Sequence, residues 1–218
     1  MLVHGCAPCG AERRVFALRV TTMCNDYRNR KSARHLVETF SEIKIPLRFS
    51  NGIPNIEPRD DIKITERAPI IVPDGDGARL EMMRWSWPSP KGAPVFNFRS
   101  ENRTFERTKR CLIPADGFYE FTTSSDPKSK RKDKWLFTMA DSDLFAIAGT
   151  WRGAAAGGED AWTMLTCAPG PDVTPYHDRQ VVVLRPEKWA EWLSGTRNER
   201  ELLVPSPAGT LSVALQAG

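Results

Sequence analysis

Cys24, directly behind Met23, is the residue of this 218-residue chain with the most chemistry within reach. Removal of everything through Met23 would make it the first residue. A cysteine that begins a chain carries two nucleophiles on neighbouring carbons. Its α-amine has an unperturbed pKa of about 7.7–8.0, so much of it is neutral near physiological pH. Its thiol is a strong nucleophile once deprotonated. An aldehyde condenses with the amine to an imine, and the thiol then closes a five-membered thiazolidine that resists hydrolysis better than the imine does. Taken alone, a cysteine behind a methionine is more often a packed apolar residue. Cys6-Ala7-Pro8-Cys9 has the spacing of half a zinc site or of a redox pair. No second pair follows at zinc spacing and no strand precedes it, so it reads as incidental.

The elements that must position this chemistry follow from composition and pattern. Lysine plus arginine number 31 against 27 acids, a net charge of +4 that permits an anionic partner without demanding one. Hydrophobic residues make up 40 % and charged residues 27 %, ordinary for a globular chain. No apolar run reaches the roughly 18 residues that span a membrane. Five cysteines are an odd number, and the one early apolar run, Val15 to Val20, is short and carries Arg19. Free thiols and a cytoplasmic location are expected; Cys111 and Cys167, in strand candidates, read as buried packing residues. A helix is predicted over 33–43, with Ser32 as its cap, and another over Pro186 to Leu193, with Gly195 behind it. Residues 45–77 read mostly as loop with short strands. Strands are predicted at 79–87, 111–121, 135–140, 144–151, 161–167 and 181–185, and two more within 202–214. This is a mostly-β, α+β single domain over 23–218. Residues 1–22 stand apart as a removed leader or a mis-assigned start. The stretch Ser124 to Lys134 carries five basic residues between two strands. Lys130 and Arg131 are its candidates for tracking phosphates, although a short charge run is usually a solvated hairpin tip.

The middle of the chain holds longer motifs. Trp85-Ser86-Trp87-Pro88 comes first, then Asn97-Phe98-Arg99-Ser100-Glu101. The run Arg110-Cys111-Leu112-Ile113-Pro114-Ala115-Asp116-Gly117-Phe118-Tyr119-Glu120 follows, and later His177-Asp178-Arg179. With Met23-Cys24-Asn25 and in this order, these segments resemble the SOS response-associated peptidase (SRAP) family of abasic-site processing proteins, over roughly residues 23 to 215. The resemblance implies a barrel-like sheet with flanking helices and a basic groove for single-stranded DNA. It implies an exposed cysteine that captures the ring-opened aldehyde of an abasic site as a thiazolidine crosslink, in some members after self-cleavage. By position in the motifs, Cys24 matches the nucleophile, Asn97 the asparagine of Asn-x-Arg-Ser-Glu, Glu120 the glutamate after Gly-Phe-Tyr, and His177 the histidine of His-Asp-Arg.

Each role has a physical basis. A carboxylate in an apolar strand has a raised pKa and can trade protons near neutrality, which suits Glu120 to imine formation. His177 can serve the sugar hydroxyl or ring opening. Asn97 can fix an oxyanion or the backbone at the terminus. Arg99 shares the strand face of Asn97 and can grip a phosphate; Arg179 is a second candidate for the DNA backbone. Trp85 and Trp87 share a face and can stack on bases, with at least one of them expected in the core. The opening Met-Cys-Asn-Asp departs from the common Met-Cys-Gly-Arg, so Asp26 stands where an arginine is expected. Phe121 replaces a common tryptophan, and Gln180-Val181 the usual Met-Pro. The expectation is a monomer acting on single-stranded DNA with abasic sites, without metal or cofactor. The alternatives are a cysteine peptidase acting on other proteins through Cys24 and His177, and a non-covalent single-stranded DNA-binding module.

Overall fold

The computed structural model describes residues 24–216 except 125, 127 and 155–157, so the leader with Cys6, Cys9 and His4 lies outside the described residues. Two large sheets and a small two-stranded one, Trp87–Pro88 with Pro94–Val95, are formed by the described residues. In the larger, the strands Ala161–Cys167, Phe145–Arg152, Arg110–Ala115, Arg67–Asp74 and Gly77–Trp85 pair in that order, all antiparallel. The last then pairs in parallel with the first, Ala161 opposite Arg84 and Trp162 opposite Trp85, and the sheet closes into a ring. This is the mostly-β, barrel-like architecture expected. The smaller sheet runs Leu211–Gln216, Asp133–Met139, Gly117–Thr122, Asp26–Asn29 and Arg59–Lys63.

Most ring strands are apolar on both faces, because both faces are covered, whereas Gly77–Trp85 also carries Arg79, Glu81 and Arg84, all half-buried. Ile70, Ile113 and Ile147 enter one core with Tyr27, Trp85, Phe118 and Trp162. Their neighbours Ile71, Leu112, Ala146 and Ala148 enter a second core, under the helices Ala33–Glu42 and Pro186–Ser194. The first helix starts where Ser32 accepts a hydrogen bond from the His35 N–H. The second opens on Pro186 and ends at Gly195, whose φ of 68° suits a residue without Cβ.

The structure corrects several predicted elements. Residues 111–121 form two strands, not one: Arg110–Ala115 belongs to the ring and Gly117–Thr122 to the other sheet. Asp116 makes the corner, pairing with Arg28 Nε at 3.2 Å and accepting from the Arg30 N–H. A Cβ on Gly117 would stand 2.6 Å from Leu136 Cδ1 and 3.2 Å from Phe137 O, so a larger residue there would have to displace the Leu136 side chain. The predicted strand 79–87 breaks at Ser86, whose φ is 78°. Residues 45–77 hold a long buried strand, Arg67–Asp74, that its two prolines obscured. Residues 202–214 carry one strand, preceded by the short helix Glu199–Leu202.

Tyr27, Trp85 and Trp162 weld the sheets together. The two indoles stack at 5.2 Å, and the tyrosine meets both edge-on. The indole N–H of Trp162 donates to Met83 O at 2.8 Å. Trp162→Ala is expected to cost about 3–5 kcal/mol through cavity formation, read as the shift in a urea unfolding curve.

Candidate active site

Three strands deliver the matched residues to one place. Asp26–Asn29, in the smaller sheet, runs back to Cys24, whose thiol points toward Asp26 O at 3.4 Å. The neighbouring strand Gly117–Thr122 presents Glu120. The short strand Asn97–Arg99 pairs in parallel with Ala161–Cys167 and presents Asn97, whose Nδ2 donates to the Cys24 carbonyl at 2.9 Å. The Cys24 N–H lies close enough to the Glu120 carboxyl to pull its pKa down. His177 stands beyond, its Nε2 3.9 Å from Glu120 Oε2. Cys24, Asn97, Glu120 and His177 therefore form one cluster, although they are scattered over more than 150 residues of sequence.

The cluster is dry. Cys24 and Glu120 are each 1 % exposed. Burial pushes Glu120 well above the usual carboxyl range; the Cys24 N–H opposes this and the Asp178 charge adds to it. Burial also raises the Cys24 thiol, with Glu120 adding to the rise. Burial lowers His177, against a pull upward from Asp178. Burial thus favours the uncharged form of each: a protonated Glu120, a neutral imidazole and a thiol. Asn97 Oδ1, Glu120 Oε2 and His177 Nε2 are all buried without a hydrogen-bond partner among the described residues. Buried polar atoms are nearly always paired, so these three, like Asp26 Oδ1 beside them, carry a desolvation cost. Among the described residues no group of side chains suits a metal ion.

The structure scatters the residues expected to bind DNA. Arg99, Lys130 and Arg131 are exposed. Trp85 is corrected: it is 0 % exposed, stacked on Trp162 with its N–H on Phe96 O, and has no face to offer a base. Trp87 does not share its face, because Ser86 turns the chain. Its ring lies between the Arg152 guanidinium, 4.6 Å away, and Phe98, at one wall of a cavity of about 660 Å³. Arg179 is also corrected. It is buried, ion-paired with both oxygens of Glu101 and hydrogen-bonded to Thr166 O at 2.9 Å, a clamp rather than a free phosphate grip. Asp26, in the expected arginine position, is buried and bonds Lys134 Nζ at 2.8 Å; burial raises it to about 6 despite that partner. Lys134 also pairs with Asp61. Sequence reasoning had no role for Glu101 or Asp178, although both lie inside the motifs it used.

A model of the family described as SOS response associated peptidase (SRAP) matches residues 23–214. The chain belongs to the SRAP family. Among SRAP relatives, it is 32 % identical over 149 residues to abasic site processing protein YoqW of Bacillus subtilis (strain 168), a match covering 61 % of this chain and 65 % of that protein. Abasic site processing protein YoaM of the same organism is 30 % identical over 154 residues, 63 % of this chain and 66 % of that one. The match thus spans just under two thirds of these relatives' length. A crystal structure of a Bordetella bronchiseptica protein superposes with a TM-score of 0.67 at 26 % identity, over 89 % of this chain and all of that one. A Bacteroides thetaiotaomicron protein shares the fold alone, with a TM-score of 0.65 at 14 % identity over 88 % of this chain and 91 % of that one.

Glu120 gives the SRAP cluster a measurable signature. Its pKa is higher folded than unfolded, so the unfolded state loses its proton first as pH rises. Its contribution to stability is complete below its ordinary value and falls as pH climbs toward the folded one. Glu120→Gln keeps the shape and an acceptor for the Cys24 N–H but never ionises. It is expected to stabilise the fold by about 1–3 kcal/mol at pH 8 and to be neutral at pH 4. Urea unfolding of both proteins at the two pH values checks this.

Proposed function

We propose that this protein captures abasic sites in single-stranded DNA as a covalent thiazolidine on Cys24, after the residues before it are removed. The observation that carries the reading is the double grip on Cys24, the Asn97 amide on its carbonyl and Glu120 at its nitrogen. That nitrogen is the atom an aldehyde must meet, and the acid needed for dehydration is already beside it. The names of the matched Bacillus relatives support abasic DNA as the target.

The chemistry follows from the placement. The free amine adds to the sugar aldehyde, giving a carbinolamine. Glu120 delivers its proton to the hydroxyl, which leaves as water, and an iminium remains. The Cys24 sulfur adds to the iminium carbon, and the thiol proton returns to the Glu120 carboxylate. Amine, thiol and aldehyde become one ring and one water. Asn97 fixes the Cys24 backbone so that nitrogen and sulfur face the same carbon. His177 exchanges protons with Glu120 and serves opening of the sugar. Arg99, Lys130 and Arg131 are the exposed cations that draw the strand in.

The same groups suit removal of the leader. The thiol attacks the carbonyl before Cys24, Glu120 protonates the departing nitrogen, and water cleaves the thioester. Intact mass of the purified protein should show a species beginning at Cys24.

A single-stranded oligonucleotide with one abasic site tests the reading. Wild type should give a band stable to heat and SDS, and Cys24→Ala none. Asn97→Ala should slow the band by roughly 10²-fold. The rate should rise with pH as the amine loses its proton and fall again as Glu120 loses its own. Glu120→Gln should lose that alkaline fall, along with about 10²-fold or more of the rate. Binding that disappears on denaturation would instead mark a coating module. Cleavage of unrelated peptides without an adduct would mark a peptidase. Full crosslinking by protein that retains Met1 would refute the terminal-amine mechanism.

A further inference from the structure

The imidazole of His177 has two faces, and the chemistry above uses one. On the other, Nδ1 lies 3.1 Å from Asp178 Oδ1, 3.2 Å from the Arg179 carbonyl and 3.0 Å from the Arg179 N–H. The first two accept a proton and the third donates one. A protonated Nδ1 is satisfied by the carboxylate or the carbonyl, and a bare Nδ1 by the N–H. Such an environment does not lock one tautomer; it supports both. At the far side, Nε2 faces Glu120 Oε2, which is an acceptor when ionised and a donor when protonated. Exposure runs in the same direction: the Asp178 side chain is 74 % exposed, that of His177 1 % and that of Glu120 2 %. The other charges acting on the imidazole are Lys132 and Arg179, both opposing its protonation, and the Arg179 guanidinium is held by Glu101.

We propose that Asp178 is a positioning residue that loads and unloads protons at His177 Nδ1, completing a relay from solvent through His177 and Glu120 to the Cys24 nitrogen. The inference deepens the crosslinking reading, and its kinetic arm rests on it. The relay answers a need of the buried site: a terminal ammonium must shed a proton before it can attack. As the ammonium passes that proton to Glu120, the two side chains close their 3.9 Å separation and Glu120 passes its own to Nε2. Nδ1–H hands its proton to the Asp178 carboxylate, which releases it to water. The amine is then neutral, Glu120 still holds the proton needed for dehydration, and bare Nδ1 accepts the Arg179 N–H. One proton enters the chain and one leaves.

The test has two readouts. The chain has three histidines, so imidazole ¹⁵N spectra are simple to assign with His177→Gln. Wild type should show His177 nitrogens at shifts averaged between the two tautomers. Asp178→Ala should shift the His177 average toward the Nε2–H form, leaving the Arg179 carbonyl as the remaining acceptor for Nδ1–H, and Asp178→Glu should restore the wild-type average. In the oligonucleotide assay, Asp178→Ala should slow crosslinking about tenfold or more below the amine pKa, with the gap closing above it, where the amine arrives neutral. A His177 tautomer unchanged in Asp178→Ala, or a changed tautomer with the rate equal to wild type at every pH, overturns the relay. Should wild type form no adduct, the crosslinking reading falls, and the nitrogen spectra still decide the relay.

Discussion

Cys24 is held through its backbone, with the Asn97 amide on its carbonyl and the Glu120 carboxyl beside its N–H, so neither grip occupies its sulfur. The two grips come from different sheets: Asn97 rides on a strand appended to the closed ring, and Glu120 belongs to the smaller sheet. The site therefore exists only while the sheets are docked to within a fraction of an ångström. Two features secure that docking. The chain crosses from one sheet to the other at the Asp116–Gly117 corner, where Asp116 is salt-bridged to Arg28 and Gly117 packs closely against Leu136. The Tyr27–Trp85–Trp162 cluster joins the two across their interface, and Tyr27 lies three residues from Cys24. Aromatic contacts of this kind contribute about 0.5–1.5 kcal/mol each beyond the area they bury.

That rigidity offsets an electrostatic cost. An unpaired polar atom away from water costs about 1–3 kcal/mol, and the cluster holds three. The cost is tolerable because the titratable members settle into neutral forms: burial raises the carboxyl and the thiol and lowers the imidazole. A neutral cluster also suits the chemistry, since a carboxyl that keeps its proton near neutrality is an acid available when a hydroxyl must leave. Asp26 shows the alternative. It too is buried close to the cysteine, but it has Lys134, which also pairs with Asp61 and lies over the Tyr119 ring. A carboxylate held by a cation in this way supports the strand beside Cys24, whereas Glu120 has no cation on it among the described residues and keeps Oε2 free.

Local signals were legible in the sequence where chemistry is local. Ser32 and Pro186 start the two long helices, and the period of Ala33, Leu36 and Phe40 marks a buried face. The four clustered residues were found through motifs, not through periodicity: taken alone, Glu120 after three aromatic-flanked positions is an ordinary strand residue. Tertiary decisions were less visible. Ile70 and Ile71 are chemically alike, and only ring closure sends them to different cores. The run from Arg110 to Phe121 is uniformly strand-like, and nothing local says that Asp116 changes sheets. Trp85 and Trp87 alternate as strand residues should, until Ser86 adopts a positive φ and separates their fates. Arg179 looked like a phosphate ligand because its partner Glu101 is 78 positions away.

Removing Trp85 and Arg179 from the DNA-facing set changes the expected balance between grip and bond. What remains exposed is Arg99 near the cluster and Lys130 and Arg131 on the basic loop, on a chain whose net charge is only +4. Each phosphate neutralised on a single strand steepens the salt dependence by about 0.7 in log–log slope, so a few cations confer weak attraction that fades with salt. Under the proposed function this weakness is no defect. Selectivity does not require tight binding if the aldehyde itself is the recognition element, because intact sugars offer nothing for Cys24 to close a ring upon. The cations need only raise the local concentration of the strand, and the covalent step then retains the rare encounter in which the sugar is damaged. A grip tight enough to hold undamaged DNA would sequester the cysteine on the wrong sites. The internal ion pairing of Arg179 therefore fits a protein whose specificity resides in bond formation at one buried residue.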